Sequence, residues 1–304
     1  MNKHLSLLEA RLTKAAILMM VAVGALSLVS CDDDGLTAGD PNYFTSSRGQ
    51  FTATTTAGTT FFLIPGTTAG TALVTYDGSN PRHWQSETVA TVSVTTYTGT
   101  LDIPETIEAD GTTYTITGLD EQALMGCRTL TNVILPSTVQ TLGEGAFAIC
   151  TTLASIELPE GITELPVGCF GYCPKLATVT IPSTVKSIGK MAFQGCSALT
   201  GLTLPEGLET IGEYAFFECS NSAFTSITIP STVQRIGEKA FGGRDAASYS
   251  KITEYHLKSS IPPTLDGMLY QAADGVSPII YVPTGSKAAY EAAAGWSSLT
   301  IEEE

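Results

Sequence analysis

From Leu101 onward the apolar positions recur as a block: Leu153, Ile156, Leu158, Ile162 and Leu165 are matched one unit later by Leu176, Val179, Ile181, Val185 and Ile188. Phe147, Phe170, Phe193, Phe216 and Phe241 form a second column. Prolines at 136, 159, 182, 205 and 230 mark the unit with steps of 23, 23, 23 and 25 residues, and cysteines at 127, 150, 173, 196 and 219 keep a constant step of 23. The unit reads L-x-x-[IVL]-x-[IL]-P-x-x-[VIL]-x-x-[IL]-[GP]-x-x-[AC]-F-x-x-C-x-x. Its opening alternates as a half-buried strand requires. Proline directly after the strand has no N–H to donate, so it ends the ladder and turns the chain. The small-Phe pair before each cysteine suits a short helical or irregular return. One such unit has too little apolar surface to stand alone, whereas stacked copies bury Leu on Leu and Phe on Phe. The pattern therefore predicts a solenoid of parallel strands over residues 101–260 with a 23-residue period.

Either end of the array needs a cover. Residues 51–100 are rich in Thr, Val and aromatics, with strands expected at Phe61–Ile64, Leu73–Tyr76 and Val89–Val94, and read as a β-rich amino-terminal cap. Between Leu101-Asp102-Ile103-Pro104 and Pro136 lie nine residues more than the period allows, and they include Ala109-Asp110-Gly111-Thr112. Asp-Gly between Thr- and Ile-rich stretches signals a β-hairpin, expected here to project from the first coil. Residues 261–304 read as a strand-helix cap: a strand at Ile279–Val282, a helix capped by Ser286 and running to Gly295, and Trp296 as a bulky anchor. Residues 31–50, polar and small, read as a flexible tether.

The repeat resembles the BspA-like family of leucine-rich repeats, a likeness that runs from about Leu101 to Glu304 with seven or more positions recurring together. That resemblance implies a leucine-rich-repeat solenoid with its strands along one face, display on the cell surface, and adhesion to host proteins or other cells. The register departs from the pattern at Leu124-Met125, at Pro166, and at Cys169 in the alanine column.

The first thirty residues stand apart. Lys3, Arg11 and Lys14 precede an uncharged apolar run from Ala15 to Val29, the layout of a secretory signal, and that run is short for a membrane span. Leu28-Val29-Ser30-Cys31 resembles the bacterial lipobox, which makes residues 1–30 a lipoprotein signal peptide and Cys31 the lipid anchor. Asp32-Asp33-Asp34 resembles the acidic export signal of surface lipoproteins in Bacteroides-type bacteria, so the body is expected outside the outer membrane. The formal charge of −15 argues against nucleic acid and against anionic lipid as partners, since both are bound mainly through Lys and Arg.

Catalytic and metal-binding patterns are scarce in the sequence. Zinc sites pair ligands two to four residues apart, whereas each copy here supplies one repeat-locked cysteine, which reads as a small buried hydrophobe. Neighbouring coils lie close enough for disulfides in an oxidising compartment, but in-register side chains suit the S–S torsion poorly, so reduced thiols are expected. Ser183-Thr184-Val185-Lys186 matches S-x-x-K, yet its repeat equivalents Ser137-Thr138-Val139-Gln140 and Ser231-Thr232-Val233-Gln234 mark it as a repeat residue with a surface lysine. His83 and His256 lie in no catalytic or metal motif, no spacing selects a glycosidase-like carboxylate pair, and Gly285-Ser286-Lys287 is not a P-loop. No enzyme activity, metal or cofactor is expected.

Binding is expected on the strand residues that face away from the core, the usual contact surface of a solenoid. These are Asn132, Ile134, Ser155 and Glu157, then Thr178, Thr180, Thr203, Ser226 and Thr228, with Gly201 among them. The face is hydroxyl-rich and lacks Trp and Arg anchors. Three roles follow: an adhesion or protein-binding module, a glycan-capturing accessory lipoprotein, and a structural part of an envelope complex. After the strands, Pro-Ser-Thr-Val alternates with Pro-Glu-Gly-Ile or Pro-Glu-Gly-Leu, a 46-residue superperiod that reads as duplication of a two-coil unit.

Overall fold

The computed structural model describes residues 51–75, 97–244, 249–270 and 277–304. The signal peptide, Cys31, the tether, the strand expected at Val89–Val94 and His83 lie outside the described residues. The chain runs through β1 (Phe51–Thr54), β2 (Thr60–Pro65), β3 (Thr71–Thr75), β4 (Gly99–Asp102), β5 (Thr106–Ala109), β6 (Thr112–Leu119), β7 (Leu130–Ile134), β8 (Thr141–Leu142), β9 (Ser155–Glu157) and β10 (Glu164–Leu165). It continues through β11 (Thr178–Thr180), β12 (Ser187–Ile188), β13 (Thr210–Ile211), β14 (Ser226–Ile229), β15 (Arg235–Ile236), β16 (Glu254–Leu257), β17 (Thr264–Leu265), β18 (Ile279–Val282), α1 (Lys287–Ala292) and β19 (Thr300–Glu303).

Three hydrogen-bonded ladders hold the coils together. The first runs along the strands: β4, β7, β9 and β11 pair in parallel, and further on β14, β16, β18 and β19 do the same. The second joins the two-residue strands β10, β12, β13, β15 and β17, also in parallel. The third lies on the return. Gly145, Phe147 and Ile149 donate N–H to the carbonyls of Val167, Cys169 and Gly171, and the set repeats from Gly168, Phe170 and Tyr172 to Lys190, Ala192 and Gln194. The returns are turns, with left-handed backbone at both ends of the donating segment: Gly145 and Ile149, Gly168 and Tyr172, Met191 and Gly195, Tyr214 and Glu218.

The apolar columns meet in one core. Phe147, Phe170, Phe193, Phe216 and Phe241 stack with centroids 5.1, 5.3, 5.2 and 5.1 Å apart and planes within 14°, the offset-stack spacing favoured by aromatic quadrupoles. Leu124 fills the first Phe position and Cys169 the alanine position, both fully buried. The ladder cysteines are free thiols, and those at 150, 173, 196 and 219 donate S–H to the carbonyls of Leu124, Phe147, Phe170 and Phe193 at 3.1–3.2 Å. Burial pushes the Cys219 thiol up to about 12 and the Cys169 thiol higher still.

Three expectations are corrected. The strand expected over Leu199–Leu204 does not form: no backbone hydrogen bond engages residues 201–204, and the strand ladder divides there. Gly201 offers no side chain to pack and weakens a strand at this point. The Asp110-Gly111 hairpin forms, both residues having positive φ (50° and 75°) as a two-residue turn needs. Instead of projecting, it pairs β6 with β3 in a six-stranded amino-terminal sheet, because Ile107 and Ile116 bury against the core. Finally, α1 stops at Ala292, short of Gly295, and the Ser286 hydroxyl donates to the Pro283 carbonyl without capping the helix. Glu303 acts in its place, its Oε1 accepting the N–H groups of Gly285 and Lys287 at 3.0 Å.

Candidate functional site

Strand register decides which side chains share the outer face. Asp102, Ile134, Glu157 and Thr180 form one row and Thr100, Asn132, Ser155 and Thr178 the next. Beyond the break the rows continue as Thr228, His256, Tyr281 and Glu302, and as Ser226, Glu254, Ile279 and Thr300. Their neighbours Leu101, Val133, Ile156, Val179, Ile227, Tyr255, Ile280 and Ile301 are buried, so alternation turns the named residues outward. Asn132 is half-buried, Ile134 is 47% exposed, and Ser155, Glu157, Thr178, Thr180, Thr203, Ser226 and Thr228 are exposed. The structure thus brings the strand residues singled out in the sequence onto one face, with Thr203 on the unpaired segment.

Sequence reasoning missed the carboxyl-terminal part of this face. His256 and Tyr281 stack with centroids 4.9 Å apart and planes 13° apart. The His256 ring meets a carboxylate at each nitrogen, Glu304 at 2.8 Å from Nδ1 and Glu254 at 3.8 Å from Nε2. Glu304 also accepts from Lys258 at 2.8 Å. The Lys258 ammonium and the His256 ring together hold the Glu304 carboxyl below the ordinary carboxylate range. The coil of His256 lacks the proline and cysteine marks, so only the alternation of Glu254-Tyr255-His256-Leu257 signalled a strand there, and Ile279–Val282 was legible as a strand of the cap but not as part of the outward face.

Behind the strands, the superperiod has a physical basis. Ser183 donates to Glu160 at 3.1 Å and Ser231 to Glu206 at 3.3 Å, each across one coil step. Thr184 accepts from the Gly161 N–H and donates to the Ile162 carbonyl, and Thr232 does the same with Gly207 and Leu208. A Glu-Gly turn therefore interlocks with the Ser-Thr turn that follows. Ser137 finds Glu105 at 3.2 Å, but no glycine turn precedes Thr138, and its hydroxyl is buried without a hydrogen-bond partner. Ser183 of the S-x-x-K match thus bonds to Glu160.

A solenoid of short parallel strands with stacked Leu and Phe columns and a long outward strand face is a leucine-rich-repeat protein. The family model described as BspA type leucine rich repeat region matches six copies over residues 117–259, so this segment of the chain is similar to BspA-type repeats. A leucine-rich-repeat protein of T. pallidum is 24% identical with a TM-score of 0.54, over 71% of this chain and 89% of that one. One from Bacteroides ovatus is 20% identical, TM-score 0.48, over 80% and 74%. A leucine rich cell surface protein of Faecalibacterium prausnitzii is 17% identical, TM-score 0.38, over 85% and 96%. No curated protein matches the chain.

Proposed function

We propose that this protein is a surface-displayed lipoprotein, anchored to the outer membrane through Cys31, whose strand face binds a protein or other cell-surface ligand. The observation that carries the reading is the face itself, with strand residues of successive coils held outward in register by a backbone ladder. The leader and lipobox motivate export, and the aspartates after Cys31 motivate outward display. The role is read as non-catalytic. The repeat thiols are buried, Ser183 is bonded to a carboxylate, and both His256 nitrogens face carboxylates.

The test is protease shaving of intact cells, followed by immunoblot with a periplasmic lipoprotein as control. Selective loss of the native protein is the expected result. Protection in intact cells with cleavage after lysis would place the protein inside the envelope and overturn the surface role.

A further inference from the structure

The paired strands of the outer face carry four outward carboxylates, Asp102, Glu157, Glu254 and Glu302, and no lysine or arginine at any outward position. Lysines and arginines of the described array, such as Lys175, Lys186, Lys239 and Arg244, sit on turns or returns, and Arg235 lies in the second ladder. Two ammonium groups reach the carboxyl-terminal end of the face, Lys258, held by Glu304, and Lys287, 3.9 Å from Glu302. Asp102 and Glu157 form no ion pair with any described residue. A face with fixed charge of one sign attracts the opposite sign and raises its encounter rate.

We infer that the strand face takes a basic polypeptide segment laid across the strands, with cationic side chains placed to reach Glu157 and Glu254. This rests on the strand face being the binding surface. Those two carboxylates stand in neighbouring rows, four coil steps apart across the strands and two residues apart along them, roughly 20 Å in all at the ~4.8 Å strand spacing and ~3.3 Å rise. An extended chain covers that span in roughly six residues at ~3.3 Å each. Between them Thr180, Thr203 and Thr228 are short, so the crossing segment meets a low floor. The two sides of the floor suit the long stems of such a partner. Ile134 is an exposed apolar contact for methylenes. The His256–Tyr281 stack supplies aromatic surface, which guanidinium groups favour. A partner rich in Asp and Glu would meet like charge at Asp102, Glu157, Glu254 and Glu302.

The test uses the full body of the protein and labelled peptides in which two arginines stand six residues apart in a Ser-Thr-Gly background. Matched peptides with two glutamates and a neutral tetrasaccharide serve as comparisons, with binding read by fluorescence anisotropy. The arginine peptide is expected to bind, and to weaken at least tenfold in 0.5 M salt. The pair Glu157→Gln with Glu254→Gln is expected to weaken it about tenfold, and the pair Glu121→Gln with Glu144→Gln, on the return side, less than twofold. Equal weakening by both pairs would mean diffuse charge attraction and overturn the inference, as would binding of the tetrasaccharide in place of the peptide. Adherence of a Thr180→Arg variant to intact cells separates the two readings. Adherence lost with no peptide bound removes the basic partner and keeps the face, whereas adherence unchanged with no peptide bound removes both.

Discussion

The residues that repeat do so for different physical reasons, and single substitutions separate them. Phe193 is fully buried between two stacked rings, so Phe193→Ala is expected to cost about 3–5 kcal/mol in chemical denaturation, the usual range for emptying such a site. Gly195 has φ 72°, and a Cβ there would stand 2.8 Å from a ring atom of Tyr172, whereas Gly58, φ 85°, faces open space. Gly195→Ala is therefore expected to lower the thermal midpoint clearly more than Gly58→Ala, which meets only the left-handed backbone cost of about 1–2 kcal/mol. The cysteines hold their column as buried donors. Because burial raises the Cys219 thiol from 9.0 to about 12, the unfolded chain loses its proton first as pH climbs. The stability this thiol contributes is thus complete below pH 9 and drains away between there and about 12. Iodoacetamide at pH 8 is expected to leave the six described thiols unmodified until denaturant is added. Rapid labelling of the native fold would contradict their burial.

Between elements, polar contacts set which coil follows which. Thr184 satisfies two backbone groups of the preceding coil, while the equivalent hydroxyl of Thr138 makes no hydrogen bond. Thr184→Val is expected to cost about 1–3 kcal/mol and Thr138→Val close to nothing, both read from the urea midpoint at constant slope. The break in the strand ladder is the complementary case. Gly201 lies outside the left-handed φ range, and a Cβ there would meet nothing within 4 Å. Gly201→Thr is expected to stabilise the array by about 0.5–1 kcal/mol, through lower unfolded-state entropy and better strand propensity. A destabilised variant would show that the break is held by something other than the missing side chain.

For the molecule as a whole, the sequence was most informative where repetition over-determines each position. The Phe, Leu and Cys columns, the parallel strands and the two outward rows between Asn132 and Thr228 were all legible because several copies vote on one register. Legibility ended where copies lose their marks. His256 and Tyr281 meet across strands that fall outside the 23-residue period, and Glu304, 48 residues from His256 in sequence, reaches it from the end of the last strand. The place of the Asp110-Gly111 hairpin was hidden for a similar reason. A turn motif fixes local geometry, but which sheet recruits the hairpin depends on a strand some forty residues earlier. At Gly201 the repeat pattern outvoted one weak residue, and the backbone followed the residue.

The central claim is that the strand face, and no other side of the solenoid, makes the contact with partner surfaces. The direct measurement compares adherence of purified variants to intact target cells. One carries Thr180→Arg and Thr228→Arg on the strand face, and the other carries Gln140→Arg and Gln234→Arg on the turns behind it. Adherence reduced at least tenfold in the first and unchanged in the second, with equal thermal midpoints, is the predicted result. Loss in the second alone would move the binding surface to the turn side and contradict the account.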